Sequence, residues 1–426
     1  MPKKKPSARG IPAKVETVSG LGLLLALAGA AVAAAYASVL AVKLSNAPAL
    51  PWTHLAPLAA YILALLVARG TLAAVGYRGD PALVAATFLL AGIGLTVQFR
   101  VGAYAGGLPA LFPFALGVCS FLLVLVLAGK GRVQILARMG WMSYVAALTL
   151  LAALLAFGER FRGGLFLPGN YNPTEAVKPL LAVFLAAFLS RRTAAAAMDG
   201  AAVPPRELLL LAALWTIPAS ITVLLGDLGL CLLLNGMLVC MLYASSRRVW
   251  WLVAGVAALM ALGAVGGVLS THAQARVMIW RDPFIDPTGK GWQVLQSLAA
   301  MYSGGMWGSG LGTGVPGAVP IVISDFIYAG LAEEIGWAGC ALLLALFGVL
   351  CGRGWRAAAN AATPVAALVG AGLASSFAVQ VLLNVAGVTK ALPLTGITLP
   401  FISHGGSSLV VSFVIAGLLA AVSERK

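Results

Sequence analysis

Apolar segments of roughly 17–25 residues, the length that crosses a bilayer as a helix, recur from one end of this chain to the other. Segments 19–40, 81–97, 109–127 and 403–422 contain no Asp, Glu, Lys or Arg. Charged residues make up only 10% of the sequence, whereas soluble proteins carry about 25%. The chain is therefore predicted to be an all-α polytopic membrane protein.

Most connections between the apolar segments are short, which favours one helical bundle over separate domains. We expect a single bundle of about 12 transmembrane helices, with a range of 10–12. The predicted spans lie near residues 19–42, 51–68, 80–99, 109–129, 140–158, 174–190, 207–225, 227–244, 249–270, 325–351, 363–387 and 403–423.

The formal charge of +15 is compatible with a nucleic-acid partner, so the position of the charge decides its meaning. With the N-terminus in the cytoplasm, about nineteen of the 28 Lys and Arg residues fall on the inner side. This asymmetry follows the positive-inside rule and predicts cytoplasmic N- and C-termini. Residues 1–18 form a basic cytoplasmic tail that is expected to orient the first span and contact anionic lipid. No nucleic-acid partner is predicted.

The longest connection, near 271–324, follows the ninth predicted span and is therefore expected on the outer side. It contains WRDPFIDPTGKGW at 280–292, which concentrates charge among prolines and glycines. Long loops are usually functional or disordered, and the Trp and Tyr residues here favour a segment packed at the membrane surface. We expect short interfacial or re-entrant helices, with 292–302 the best candidate. Residues 19–426, including this extracytoplasmic loop, are taken as one membrane domain.

GNYNPTEAVK at 169–178 opens the sixth predicted span from the outer side. Asn172 suits a helix N-cap, Pro173 the first helical position and Glu175 the third, as in a capping box. Glu175 and Lys178 share a helix face and can form an ion pair. A capped helix with a local salt bridge explains this pattern as well as a binding role does. The depth in the membrane favours function, because ionisable groups are costly there.

Polar groups at the ends of other spans share this sidedness. They are Gln98, Arg100, Asp227, Asp325 and the segment LPLTGITLPFISHGGSS at 392–408. Each alone has an equally good structural explanation, but together they predict an outward-facing polar cavity. Glu333 and Glu334 point about 100° apart on a helix, so one is expected to pair with a buried base or hydroxyl. A proton-relay transporter is an alternative, because membrane carboxylates often serve that role.

No metal-ligand or nucleotide motif is recognised in the sequence. The three histidines are far apart, and the five cysteines lie in or at the ends of apolar spans without metal-ligand spacing. GSGLGTG at 308–314 does not match the phosphate-binding loops. No metal site and no tightly bound cofactor are predicted.

Four sequences in the second half of the chain resemble one family. WRDPFIDPTGKGWQVLQS, GSGLGTG, SDFIYAGLAEEIG and LPLTGITLPFISHGGSS occur in the order and spacing of the SEDS (shape, elongation, division and sporulation) proteins, which include FtsW, RodA and SpoVE. NPTEAVK and GDLG are similar to two further signatures of that family. The resemblance covers roughly residues 160–423. His404 departs from the family's usual Tyr, and the Glu and His that many relatives carry before Asp325 are absent.

The resemblance implies a peptidoglycan glycosyltransferase that polymerises lipid II, a disaccharide-pentapeptide carried on undecaprenyl pyrophosphate. It would act in division, elongation or sporulation, at the outer face of the bacterial cytoplasmic (inner) membrane. The implied partners are a class B penicillin-binding protein, which is a transpeptidase, and membrane lipid. A divalent cation, Mg²⁺ or Mn²⁺, is compatible with this chemistry.

The family's essential acidic residue lies in an Asp-Pro before Gly-x-Gly-aromatic-Gln, which matches Asp286, and Asp282 is the secondary acidic candidate. Spacing alone also permits Asp286 to be a turn residue, because Asp-Pro-x-Gly is a natural β-turn sequence. HGGSS at 404–408 is likewise compatible with a simple helix-entry turn. The candidates for substrate binding are Arg100, Glu175, Lys178, Arg281, Lys290, Gln293, Asp325, Glu333, His404 and Ser407.

Two other functions stay open at this stage. A lipid-linked saccharide flippase or transporter would use the same cavity with alternating access, and the large loop would then be a gate. A non-catalytic scaffold that recruits a penicillin-binding protein would tolerate loss of every charge in the cavity. The two differ from a polymerase in whether glycan chains are made.

Overall fold

The computed structural model describes residues 13–46, 51–161, 164–167, 172–199, 205–269, 271–289 and 291–424. This part of the chain forms fourteen α-helices, one short β-hairpin and several short 3-10 turns. The helices are α1 (Ala13–Asn46), α2 (Ala56–Val75), α3 (Pro81–Arg100), α4 (Phe112–Ala128), α5 (Gly140–Phe157), α6 (Thr174–Asp199), α7 (Pro205–Leu224), α8 (Leu228–Ser246), α9 (Trp250–Leu269), α10 (Thr271–Arg281), α11 (Trp292–Gly304), α12 (Ile327–Ala359), α13 (Pro364–Val388) and α14 (Gly406–Ser423).

Each of the twelve predicted spans coincides with one helix, namely α1–α9 and α12–α14. Ten of these helices are long and apolar enough to cross a membrane, counted over the described residues. The other two, α6 and α9, coincide with the sixth and ninth predicted spans. The prediction of an all-α polytopic protein with 10–12 spans is confirmed. α1 begins at Ala13, inside the predicted basic tail, and residues 1–12 of that tail lie outside the described part.

Three helices form the centre of the bundle. In the apolar stretches of α3, α13 and α14, between 67% and 78% of the residues are buried, against 22% in the peripheral α7. Phe413 of α14 packs edge-on against Phe401, with ring centroids 5.4 Å apart. Gly94 of α3 lies so close to this segment that a Cβ would be 2.0 Å from the Phe401 carbonyl oxygen. Only glycine permits this approach, which fixes the chain where it enters α14.

The chain between α13 and α14, residues 389–405, is not helical. Backbone polar groups at membrane depth need partners from the protein, because lipid offers none. Two amides of α13 supply them: Asn384 Nδ2 donates to the Ile397 carbonyl at 2.6 Å, and Gln380 Nε2 donates to the Thr398 carbonyl at 2.9 Å. Gln98 of α3 donates to the Ile402 carbonyl at 2.6 Å. These three amides hold the extended segment against the bundle.

α12 is broken at Gly336, which has φ 65° and ψ −176°. The loop after α11 takes up the backbone groups freed by this break. The Trp337 N–H donates to the Gly305 carbonyl at 3.0 Å, and the Gly310 N–H donates to the Glu334 carbonyl at 2.9 Å. The end of α11 and the first part of α12 are therefore joined through main-chain bonds. The expected helix at 292–302 is confirmed as α11.

A short β-hairpin, absent from the sequence predictions, joins α5 and α6. β1 (Glu159–Phe161) pairs antiparallel with β2 (Gly164–Phe166), with Arg160 opposite Leu165. Strands of three residues are too short to show an alternating pattern of polar and apolar residues. The hairpin matters for the site because Leu165 and Phe166 form part of its wall.

At the opposite end of the bundle, an ion pair joins α3 to α12. Asp80 is the N-cap of α3 and accepts the Ala82 N–H at 2.9 Å. Arg353 of α12 donates to the same carboxylate from Nη2 at 2.8 Å. The predicted topology places this pair on the cytoplasmic side.

Candidate active site

A cavity of about 710 Å³ opens between the hairpin, α6, α8, α10, α11, α13 and the extended segment before α14. Its volume lies within the range of ligand pockets, about 300–1,000 Å³. The predicted outward ends of several helices meet here, and Asp227, Asp325 and part of the segment 392–408 line this cavity as expected, whereas Gln98 and Arg100 do not. Its ionisable and polar lining residues include Asn172, Glu175, Lys178, Asp227, Arg276, Gln293, Asp325, Lys390, His404 and Ser407.

One polar group of the cavity is built on the first turns of α6. Asn172 caps this helix by accepting the Thr174 N–H at 3.0 Å, as the sequence predicts. One turn later, Lys178 is 2% exposed and donates to the carboxylate of Glu175 and to Gln380 Oε1 at 2.7 Å. The predicted Glu175–Lys178 ion pair is therefore present. Because Gln380 also holds the extended segment, the pair is linked to the cavity wall opposite α6.

A second cluster of ionisable residues in the cavity includes Arg276 of α10 and two aspartates. Arg276 Nη1 donates to the Thr395 carbonyl at 3.1 Å. Asp227 precedes α8 and caps it through the Leu230 N–H at 2.8 Å, and Asp325 precedes α12. Burial raises the pKa of both aspartates above its usual range, and the positive charge of Arg276 opposes this rise. The two carboxyl groups are held where ionisation is costly, which is common at functional sites.

The raised pKa of Asp325 gives a prediction for stability. The unfolded chain loses this proton near pH 4, and the folded protein loses it only at a higher pH. The free energy of unfolding therefore falls as the pH rises from about 4 to the raised pKa, and stays lower above it. Asparagine cannot ionise, so Asp325→Asn is expected to raise the thermal unfolding midpoint at about pH 8 and to change it little near pH 4. Thermal unfolding scans of wild type and variant in one detergent at both pH values check this. An equal shift of the unfolding midpoint at the two pH values would contradict the prediction.

The loop between α10 and α11 carries the principal acidic candidate. Asp286 is half-buried, and its Oδ1 accepts the Gly289 N–H at 3.0 Å. Residues 287–289 form a turn, as predicted, and the Asp286 carbonyl accepts the Gly291 N–H at 3.0 Å. Asp282 caps the short 3-10 turn that follows it by accepting the Phe284 N–H at 2.9 Å. Asp286 is not among the residues that line the cavity, but Gln293, in the first turn of α11, is. The turn therefore lies beside the α10–α11 wall of the cavity.

Arg100, Glu333 and Glu334 lie outside this cavity. Arg100 Nε pairs with Glu334 Oε1 at 2.8 Å, and its Nη2 donates to the Gly314 carbonyl at 2.6 Å. The other oxygen of Glu334 accepts the Gly312 N–H at 3.0 Å. Glu333 Oε1 accepts the Val315 N–H of the same loop at 3.0 Å. The expectation that one glutamate pairs with a base is confirmed, and all three side chains hold the glycine-rich loop 308–315, which we call the glycine loop.

The remaining candidates are placed as follows. His404 and Ser407 line the cavity, and Ser407 Oγ accepts the Asn172 N–H at 3.2 Å. The Arg281 side chain is exposed at the end of α10 and does not line the cavity. Lys290 lies outside the described residues. The structure thus brings together Glu175, Lys178, Gln293, Asp325, His404 and Ser407.

Lys390 and Trp280 line the cavity without having been predicted as site residues. A signal for Lys390 was available, because the predicted topology leaves only about nine basic residues outside and Lys390 is one of them. Trp280 gave no signal beyond its place in a loop rich in aromatic residues. Within the described ranges, no group of three or more His, Cys, Asp or Glu side chains is placed to hold a metal ion.

Known proteins with similar sequences were found by comparison. The family model described as cell cycle protein, covering FtsW, RodA and SpoVE, matches residues 108–426. Peptidoglycan glycosyltransferase RodA of Mycobacterium tuberculosis is 34% identical over 416 aligned residues, which cover 91% of this chain and 87% of that protein. Stage V sporulation protein E of Bacillus subtilis is 35% identical over 312 residues, covering 72% of this chain and 77% of that protein.

Solved structures share the fold. A chain from a structure described as the structural coordination of polymerization and crosslinking by a peptidoglycan synthase complex aligns with a TM-score of 0.64 and 25% identity. The alignment covers 81% of this chain and 98% of that one. The crystal structure of Thermus thermophilus rod shape determining protein RodA aligns with a TM-score of 0.58 at 24% identity, over 81% of this chain and 97% of that one. At that identity the second similarity supports the fold alone.

Proposed function

The chain belongs to the FtsW, RodA and SpoVE family, and we propose that it polymerises the saccharide of lipid II in the cavity described above. The relatives that carry the name peptidoglycan glycosyltransferase align with up to 91% of the chain. The chain is a multi-pass membrane protein and a glycosyltransferase of this family. The site of the reaction, its catalytic residue and its partner are our proposals.

One observation carries the proposal for the site. A membrane bundle gathers three carboxylates and three cations at one cavity of about 710 Å³. Charged side chains at membrane depth are costly and mark pathways or binding sites for polar substrates. Lipid II needs such a place, because it joins a charged diphosphate and a polar saccharide to a long apolar chain. The cavity offers polar walls beside helices that face lipid.

The chemistry needs a base for the acceptor and positive charge for the leaving group. The 4-hydroxyl oxygen of the acceptor sugar forms a bond to the anomeric carbon of the donor sugar. The bond from that carbon to the diphosphate oxygen breaks, and the electron pair leaves with undecaprenyl diphosphate. We assign the hydroxyl proton to Asp286, because general-base catalysis by a positioned carboxylate supplies about 10²–10⁴-fold in rate. One displacement inverts the α-linked donor to a β-linked product.

Cations on the wall of the cavity would stabilise the departing diphosphate. Preorganised positive groups that meet charge as it develops usually give the largest contribution to catalysis. Arg276 is held toward the cavity by the Thr395 carbonyl, and Lys178 is held by Glu175 and Gln380. A divalent cation, Mg²⁺ or Mn²⁺, bound to the diphosphate would add further positive charge. The buried Lys178 pair is expected to hold α6 against the extended segment.

We propose a class B penicillin-binding protein as the partner, which would crosslink the new strands. A solved relative comes from a complex described as coordinating polymerization and crosslinking, and this supports the proposal. We place the cavity on the outer face of the cytoplasmic membrane, with both termini in the cytoplasm. The excess of Lys and Arg in the connections at the opposite end supports this orientation.

The test is polymerisation of labelled lipid II by the purified chain in detergent or vesicles, alone and with its penicillin-binding protein. Gel separation of the products is expected to show a ladder of glycan chains that disappears when lipid II is omitted. A ladder of glycan chains would exclude the alternative that the protein is a non-catalytic scaffold. Transport of lipid II across vesicles with no glycan made, in the presence of the partner, would favour a flippase and contradict the proposal.

A further inference from the structure

Lys390 lines the cavity and lies two residues after the end of α13. Its φ is 61°, in the left-handed region that favours glycine. Its carbonyl accepts the Trp280 Nε1–H at 3.0 Å, and its Nζ donates to the Arg281 carbonyl at 3.5 Å. A side chain kept at a backbone position suited to glycine points to a role for that side chain.

No carboxylate in the described ranges lies within ion-pair distance of Lys390. The other cations of the cavity are situated differently. Lys178 is paired with Glu175, and Asp227 and Asp325 both act on Arg276 electrostatically. Lys390 therefore carries the positive charge of the cavity that is least neutralised by the protein. Such a charge attracts an anionic group of a ligand.

Arg276 and Lys390 are connected through Trp280. Arg276, Ile279 and Trp280 line the cavity from α10, and their spacing places them on one helix face. The Trp280 Nε1–H donates to the Lys390 carbonyl at 3.0 Å, so the chain at Lys390 packs against this face of α10. Both cations line the same cavity and can meet the two phosphoryl groups of one diphosphate.

We propose that Arg276 and Lys390 form a diphosphate-binding pair, in which Lys390 determines the affinity for the substrate. This inference rests on the proposed function, since it assigns the diphosphate of the lipid-linked substrate to these two residues. Arg276 is fixed by the Thr395 carbonyl and meets one phosphoryl group. Lys390 meets the other phosphoryl group through charge-assisted hydrogen bonds, which are stronger than neutral ones.

Binding of a short-chain prenyl diphosphate tests the pair without requiring catalysis. Farnesyl diphosphate is titrated into the full chain in lipid nanodiscs, with heat of binding as the signal. Lys390→Gly is expected to weaken binding at least tenfold, because it removes the charge. The same variant should unfold at a temperature no lower than the wild type, because glycine suits the backbone there. Lys390→Arg should restore affinity to within about threefold. Farnesol, which lacks phosphate, should bind equally to all variants.

Arg356→Gly serves as the matched charge control, since Arg356 is exposed in the last turn of α12, far along that helix from the cavity. It also removes one positive charge, and farnesyl diphosphate binding should stay unchanged. Equal affinity of wild type and Lys390→Gly would overturn the proposal. Loss of affinity in Arg356→Gly as large as in Lys390→Gly would overturn it as well, because net charge would then explain the effect.

Steady-state kinetics separate this inference from the proposed function. In polymerisation assays, Lys390→Gly is expected to raise KM for lipid II about tenfold and to change kcat by less than about threefold. If the wild type binds farnesyl diphosphate through Lys390 but makes no glycan, the proposed function fails and the diphosphate-binding pair stands. If glycan is made with the same KM by both proteins, the pair fails and the proposed function stands.

Discussion

Replacing Asp286 with asparagine is expected to lower the rate of glycan polymerisation by about 10²–10⁴-fold, the contribution of a positioned general base. Asparagine keeps an oxygen that can accept the Gly289 N–H, which now bonds to Asp286 Oδ1 at 3.0 Å. It is also a residue that β-turns favour. The turn between α10 and α11 should therefore persist. What asparagine cannot do at neutral pH is take the proton of the acceptor hydroxyl.

The measurement is the single-turnover rate of lipid II polymerisation by the purified protein with its partner, beside a thermal unfolding scan. Asp282→Asn is the matched control, because Asp282 also caps a short turn through an N–H, that of Phe284. We expect Asp282→Asn to keep most of the activity and both variants to unfold near the wild-type temperature. Full activity in Asp286→Asn would show that Asp286 only shapes the turn, and the assignment of the base would be wrong.

The second large effect is expected on stability. Glu334→Gln should cost about 3–5 kcal/mol of unfolding free energy, which is typical when one partner of a buried ion pair is removed. Glu334 is 6% exposed; it pairs with Arg100 and accepts the Gly312 N–H of the glycine loop, and Arg100 donates to the Gly314 carbonyl of the same loop. Glutamine keeps the shape but leaves the Arg100 guanidinium without its opposite charge. Because the glycine loop is bonded to α12 and follows α11, activity should fall together with stability.

Unfolding in mixed micelles with increasing fractions of denaturing detergent measures this effect. Asp80→Asn is the control, because the Asp80–Arg353 pair also joins α3 to α12 and is more exposed. The loss there should be about 1 kcal/mol, since exposed pairs contribute little. The double variant Arg100→Met, Glu334→Met should recover part of the lost unfolding free energy, because no charge is then left buried alone. Equal losses in Glu334→Gln and Asp80→Asn would contradict the account.

The membrane helices were predictable because the sequence of each span is itself sufficient to identify it. An apolar run of the right length needs no tertiary information, so all twelve predicted spans coincide with helices. The short helix expected at 292–302, which α11 extends to Gly304, was also predictable from its own sequence. The break at Gly336 was not, since its freed backbone groups are satisfied by Gly305 and Gly310, which are distant in sequence. The hairpin at 159–166 was too short to leave a pattern.

The sequence predicted on which side of the membrane the site lies, but only some of the residues that form it. Glu175, Asp325 and Ser407 were found because topology assigns their helix ends to the same side. Arg100 shares that sidedness but pairs with Glu334, and nothing in the local sequence separates a charge that binds a loop from one that faces a cavity. The position of Asp286 beside the cavity rather than within its lining depends on the turn geometry, which spacing alone does not fix.

Photocrosslinking of the substrate tests most directly the claim that the lipid-linked saccharide is polymerised in this cavity. A lipid II analogue with a photoreactive group near the diphosphate is bound to the wild-type chain, irradiated and mapped by mass spectrometry. The account predicts adducts on 275–280 of α10 and on 387–398, which line the cavity, and competition by unlabelled lipid II. Adducts confined to surfaces outside the cavity, on protein that still makes glycan, would contradict it.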